Sequence, residues 1–273
     1  MRRFWLALTV ALLAFWLSIA IVLFASPAWA QTDDADLANK LSNPVSDLIS
    51  VPFQFNYDCC YGPEDGGRFT LNIQPVVPFH LGADWTLIVR TILPVVTQQE
   101  TVGGLGDHSG LGDTLQSFFF SPTPSPGGII WGVGPAIYWP TASNTYLGPR
   151  KWGAGPTVVV LKQQSGWTYG LLANHIWSFA GESETADISS TFLQPFLAYA
   201  WPDSTTLTLN TESSYDWNGD QWTVPLNLTV SHIFRFGTQP VSFAIGGRYY
   251  AVTPDDGPRW GLRFVMTFLF PAG

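Results

Sequence analysis

The sequence predicts an all-β fold: a transmembrane antiparallel β-barrel of about twelve strands behind an N-terminal signal peptide. Three observations predict it. Apolar and polar residues alternate with a period of two, charge is scarce, and short connections alternate with long ones. Charged residues make up 12% of the 273, against about 25% in a typical soluble domain, so little material exists for a fully hydrated surface. The alternation is cleanest in Phe69-Thr70-Leu71-Asn72-Ile73-Gln74 and returns in Leu207 to Glu212 and Trp222 to Ser231. One face of such a strand meets an apolar medium and the other meets water or polar side chains.

At the N-terminus, Arg2 and Arg3 precede an uncharged run from Phe4 to Phe24, and Ser26-Pro27-Ala28-Trp29-Ala30 closes it with an Ala-x-Ala step. This is the order of a secretory signal peptide. The run could also span a bilayer as a retained anchor, but its abrupt end at Pro27 favours cleavage near Ala30. The reading is therefore a signal peptide at 1–30, a polar and weakly helical periplasmic lead-in at 31–48, and an outer-membrane barrel at 49–273. The leader removes two of the twelve basic residues and none of the twenty acids, leaving a mature net charge of −10. With no basic excess to displace counterions, nucleic acid is excluded as a partner. No second apolar run reaches 18 residues, so further membrane helices are excluded.

Turn signals delimit strands near 49–58, 68–80, 84–97, 111–121, 128–140, 154–163, 166–179, 190–201, 204–217, 221–235, 239–252 and 259–270. Their usual length suits a tilted membrane-spanning strand rather than a soluble sheet. Links after even-numbered strands are short, such as Gln164-Ser165 and Gly237-Thr238. Most links after odd-numbered strands are longer, such as 98–110, 141–153 and 181–189; Asn218-Gly219-Asp220 breaks the rule. Outer-membrane barrels sort periplasmic turns from extracellular loops in this way, and an even count places both termini in the periplasm.

Nearly all the tryptophans beyond the leader fall close to strand ends. Trp85, Trp167 and Trp201 would mark the inner rim; Trp139, Trp152, Trp177, Trp217, Trp222 and Trp260 would mark the outer rim, as aromatic girdles do. Trp131 stands apart. In the last strand, Leu262, Phe264, Met266, Phe268 and Phe270 form one face and Gly261, Arg263, Val265, Thr267 and Leu269 the other. An aromatic-rich final strand ending in phenylalanine resembles the signal read by the barrel assembly machinery. That machinery, outer-membrane lipid and lipopolysaccharide are the expected partners.

A wider resemblance rests on Asn43-Pro44-Val45-Ser46-Asp47-Leu48-Ile49-Ser50-Val51-Pro52-Phe53-Gln54, Gly110 to Asp113, Ser117 to Pro122, Lys151 to Thr157, Ala173 to Gly181 and Asn210 to Trp217. These runs resemble the outer-membrane transporters related to phenol-degradation MetA-pathway proteins, some of which carry the label neuromedin U. The resemblance covers roughly 40–271. It implies an outer-membrane barrel that passes small, often hydrophobic compounds, and it supplies no catalytic residues.

The polar faces carry the candidate site. A charge facing lipid at mid-bilayer costs roughly 2–4 kcal/mol, so Thr70, Asn72, Gln74, Arg90, Gln116, Asn210, Glu212, Asn227, Arg248 and Arg263 should point inward. Arg248 and Arg263, on neighbouring strands, would be balanced by Glu212 and Asp216. Whether this lining is open or forms a salt-bridged plug is left undecided by the sequence.

Other constellations are weaker. Asn174-His175 with a distant serine resembles the serine–histidine–asparagine hydrolase of outer-membrane phospholipase, but neighbours on a strand point to opposite faces. The tandem Gly104 to Asp107 and Gly110 to Asp113 around His108 fits no calcium or phosphate motif and reads as a flexible surface loop. Glu182 to Asp187 reads as a solvated loop, with loose divalent-ion bridging to lipopolysaccharide as an alternative. Cys59 and Cys60 read as two loop thiols with no metal spacing around them. No catalytic residue, metal or cofactor is implied. The expected function is passage of a small solute. The rivals are a barrel hydrolase and a secreted, soluble β-sandwich binding module.

Overall fold

The computed structural model describes residues 34–99, 106–123 and 128–271; the leader assigned to 1–30 lies outside them. One helix, α1 (Asp34–Leu41), precedes the strands β1 (Leu48–Tyr61), β2 (Gly66–Ile73), β3 (Val76–His80), β4 (Trp85–Gln99), β5 (His108–Leu111), β6 (Thr114–Pro122), β7 (Ile129–Trp139) and β8 (Lys151–Gln164). They continue with β9 (Trp167–Gly181), β10 (Ser189–Ala200), β11 (Thr205–Thr211), β12 (Ser213–Asp216), β13 (Gln221–Phe236), β14 (Gln239–Val252) and β15 (Trp260–Pro271). Three pairs are single staves briefly interrupted: β2 and β3 at Gln74-Pro75, β5 and β6 at Gly112-Asp113, and β11 and β12 at Glu212. Fifteen strands thus make twelve staves. Pro75 explains one gap, since it has no amide hydrogen to give the ladder.

Neighbouring staves pair antiparallel throughout, and β1 meets β15 from Leu48↔Pro271 to Cys59↔Trp260, so the sheet closes on itself. Closure leaves no edge and satisfies the backbone internally, the condition for crossing hydrocarbon. Both described chain ends lie at the end of the short turns. Two of these turns have two residues, Ser165-Gly166 and Gly237-Thr238; the first has φ of 51° and 81°, the two positive values that a type I′ hairpin requires. Connections at the opposite end are mostly longer, the longest described being 140–150.

The two faces sort as the alternation predicts. Leu209, Leu228, Ile245, Leu262 and Phe264 are exposed by 42–68%, whereas Asn56, Asp58, Asn227, Arg263 and Thr267 are at most 6% exposed. On these strands the apolar side chains are outside and the polar ones inside, the reverse of a soluble domain. A single closed sheet with an uncovered apolar face is not a soluble sandwich. That rival fails.

The tryptophans sit at the rims. Trp167 packs on Tyr199 at 4.8 Å and Tyr199 on Trp201 at 5.0 Å near the short turns. Trp139 lies 4.9 Å from Trp152, and Trp222 and Trp217 each lie 4.9 Å from Tyr215, at the other end. Trp131, set apart in the sequence reading, meets Trp85 edge-on at 6.0 Å and completes the short-turn girdle.

The lumen is not empty. Helix α1 and the segment after it cross its short-turn end. Leu37 and Ala38 pack on Leu48, Ala200, Ile233 and Leu269 from one wall, while Val45 joins Ile88, Phe119, Val159, Leu161 and Leu172 on the other. The Asp34–Arg235 ion pair and a bond from Gln163 Nε2 to the Asn39 carbonyl, 2.8 Å, hold the helix in place. Acids in its first turn and Lys40 in its last suit the helix dipole.

Candidate functional site: a charged waist between two cavities

Midway along the lumen, side chains from separate staves converge. Glu212, in the gap between β11 and β12, accepts two bonds from Arg263 of β15, at 2.8 and 2.7 Å. Arg248 of β14 approaches the same carboxylate at 3.6 Å and also binds Asp58 of β1 at 3.1 Å. Amides complete the shell: Asn56 accepts from Arg263 Nε at 2.8 Å, Asn227 from Arg248 Nε at 3.0 Å, and Asn227 donates to Asn210 at 2.8 Å. Bidentate arginine–carboxylate geometry is the strongest common form of such a contact. The interruption at Glu212 therefore sits where a charge must reach across the barrel.

Arg90 of β4 behaves differently. Its guanidinium donates to Gln74 Oε1 at 2.9 Å, and among the described residues no carboxylate oxygen lies within 4 Å of it. Glu212 faces the same space, but both of its oxygens are taken by Arg263. Arg248, Arg263, Asp58 and Glu212 thus pair among themselves, and Arg90 is left without a carboxylate in contact.

Two cavities meet here. The one toward the long loops is about 410 Å³ and includes Asn72, Arg90, Tyr138, Asn174, Phe192 and Glu212 in its wall. The one toward the short turns is about 250 Å³ and is walled partly by α1 through Ala38, Lys40 and Leu41. Gln74, Arg90 and Gln194 line both. They form the constriction.

The long-loop mouth is narrowed as well. Asp113, buried in the gap between β5 and β6, accepts the backbone N–H groups of Ala142 and Arg150, each at 2.8 Å. It draws the 140–150 connection inward, and Pro149 and Ile188 cover the upper cavity. Outside the membrane span, Lys151 donates to Asp187 at 2.6 Å. That bond and the ammonium charge hold the exposed Asp187 carboxyl below its ordinary range.

Of the residues selected from sequence, Asn72, Gln74, Arg90, Asn210, Glu212, Asn227, Arg248 and Arg263 meet in this lumen. Asp216 does not. It ends β12, is exposed, and accepts the backbone N–H of Asn218 at 3.0 Å; the acid opposite Arg248 is Asp58. Gln116 is corrected too. Leu115 and Ser117 line the cavity, so Gln116 between them faces outward, where its amide donates to Thr91 at 3.1 Å. A neutral mutual bond makes that placement tolerable where a charge would not be.

Within the glycine–acid tandem, 104–105 lie outside the described residues. The described part is not a loose loop: 108–111 is strand, His108 stacks on Tyr146 at 4.2 Å, and Asp113 is a buried anchor. Cys59 and Cys60 are bonded to each other rather than free. Cys60 is the extra residue of a bulge against β2, with φ of 74°. The bulge takes it out of the extended geometry that would point adjacent side chains apart. His175 and Asn174 do separate: Asn174 lines the cavity, whereas His175 faces outward, bonded to Thr191 at 2.7 Å beside Trp177. Sequence reasoning missed Asp58, Asn56, Tyr138 and Gln194. Strand parity could have placed all four inside, but nothing in the sequence ranked them.

No protein-family model and no curated protein matches the chain. Among solved structures it is similar to an outer membrane channel from Pseudomonas putida F1, with a TM-score of 0.65 at 16% identity over 82% of this chain and 96% of that one. That likeness shows the outer-membrane barrel fold. More distant are outer membrane phospholipase A from Escherichia coli (TM-score 0.43, 12% identity, 88% of this chain and 98% of that one) and the CymD monoaromatic hydrocarbon channel (TM-score 0.41, 8% identity, 89% and 94%).

Proposed function

We propose that the protein is an outer-membrane channel for small solutes, related to the transporters associated with phenol degradation that its sequence resembles. It would be exported by a leader cleaved near Ala30 and inserted by the barrel assembly machinery. Its apolar belt would sit in lipid, with the long loops toward lipopolysaccharide and the short turns in the periplasm.

One observation carries this reading: two lumen cavities, one on each side of a shared constriction at Gln74, Arg90 and Gln194. A barrel that served only as a structural shell would gain nothing from such space. The mixed wall, with amides and guanidinium groups beside Ile92, Leu115, Leu172 and Phe192, suits solutes that are small and partly apolar. The hydrolase reading lacks support, since His175 faces away from Asn174 and is bonded to a threonine.

Passage is tested by planar-bilayer conductance and liposome swelling with refolded mature protein, and with a variant lacking residues 31–42. Single-channel steps, larger when the helix is absent, are the expected result. A chain that is folded, heat-modifiable on gels and sealed in both forms refutes the proposal.

A further inference from the structure

We infer that the upper cavity is a binding site for small organic monoanions, which Arg90 holds by their charged end. The inference rests on the channel reading and names the solute class. It begins with the unequal treatment of three lumen arginines. Arg263 is neutralised by Glu212, and Arg248 by Asp58 and Glu212. Arg90 donates to a neutral amide, and among the described residues no carboxylate comes within 4 Å of it.

A guanidinium in a confined lumen gains most from a partner that accepts two parallel bonds, which a carboxylate does. Gln74 fixes the orientation of the guanidinium at 2.9 Å, and Gln194 adds an amide at the same constriction. The same wall also carries apolar side chains: Ile92, Leu115, Leu172, Ile176 and Phe192 offer a surface for a hydrocarbon body. Its volume, about 410 Å³, falls within the range of small-molecule sites. A dianion is disfavoured, because Glu212 lines the same wall and would repel a second negative charge. A cation would have to approach Arg90 directly.

The test is calorimetric titration of the refolded, detergent-solubilised mature protein with benzoate and with benzamide, its uncharged near-isostere, alongside bilayer conductance of the same preparation. Wild type should bind benzoate at least about tenfold more tightly than benzamide, the ratio expected for one charge-assisted bidentate contact. Arg90→Gln should bring the two ligands within about twofold, and Arg90→Lys should restore part of the preference. The wild-type comparison requires no variant to fold. Equal affinity for the two ligands, no heat with either, or a preference that survives in folded Arg90→Gln overturns the inference. Conductance without a benzoate preference removes the anion site and keeps the channel. An Arg90-dependent preference without conductance keeps the site and removes the channel.

Discussion

Replacing Glu212 by Gln removes one negative charge from the waist and changes little in shape. In the native lumen the carboxylate accepts two bonds from Arg263, at 2.8 and 2.7 Å, and faces Arg248 at 3.6 Å. The amide keeps one acceptor oxygen but turns an N–H₂ group toward a guanidinium that can only donate. One charged bond is lost outright, and a donor–donor contact takes its place. The exposed surface of the Arg263 side chain is only 4%, so water cannot compensate. Removing one partner of a buried pair costs about 3–5 kcal/mol, chiefly because the other charge is left without a counter-ion. The paired cluster of Arg248, Arg263, Asp58 and Glu212 would meanwhile go from balanced to one excess positive charge.

Reversible urea unfolding of the mature chain in lipid vesicles, followed by tryptophan fluorescence and heat-modifiable migration, reads this loss. Arg263→Gln and the double substitution close a thermodynamic cycle. The double variant should be more stable than the sum of the singles predicts, by about 1.5 kcal/mol or more, since neither charge is then stranded. Asp216→Asn is the control. That carboxylate is exposed and serves a turn, so its loss should cost less than about 0.5 kcal/mol. If Glu212→Gln is no worse than the control, or the cycle is additive within about 0.5 kcal/mol, the waist is not an ion-paired latch and the reasoning fails.

Three further outcomes follow from the same geometry. Leu37→Asp puts a charge into a fully buried seat between α1 and the wall, which should unseat the helix and raise single-channel conductance; unchanged conductance would show that the helix does not limit flow. Asp113→Ala removes the acceptor of two backbone bonds at 2.8 Å, each worth about 1.5–3 kcal/mol when the acceptor is charged, so amide exchange across 140–150 should accelerate while the barrel strands stay protected. At the Lys151–Asp187 pair the folded pKa is depressed, so its stabilisation is present above the unfolded carboxylate value and lost as pH falls through the folded one. Exchange at the Ile188 amide, bonded to Ser178 Oγ at 2.9 Å, should therefore quicken below pH ~4, and Asp187→Asn should reproduce this at neutral pH.

The staves were legible because a period of two is local. Phe69 to Gln74 announces its two faces without reference to any other part of the chain, and all twelve segments appear within about three residues of their expected bounds. The interruptions were not legible. The 68–80 segment has the sequence pattern of one strand, yet it breaks at Gln74-Pro75, where Gln74 lines both cavities. Asp113 misled for a related reason. Gly110 and Gly112 just before it give it the look of a loop, yet in the break between the two strands its carboxylate folds the neighbouring connection inward. At both places the break in alternation, not the alternation itself, marks the functional residue.

What sequence parity cannot supply is height along the tube. Glu212 and Asp216 share a face, and nothing in their spacing tells which one meets the arginines. In the closed sheet Glu212 lies between the Asn210↔Asn227 and Ser214↔Thr223 pairs, level with the amide shell, whereas Asp216 pairs with Ser190 and Gln221 at the rim. Asp58 reaches the same level from β1 because β1 pairs Asp58 with Gly261, two residues from Arg263, and a glycine there leaves room for the Asp58 carboxylate. Register around a barrel is set by all twelve staves together, so contacts across the lumen are a global property. The helix is hidden for the same reason. Its Leu37 and Ala38 look like a weak amphipathic lead until closure creates an apolar ring for them to fill. A chain of this kind writes its lipid-facing surface into each strand, but writes its pore only into the assembled tube.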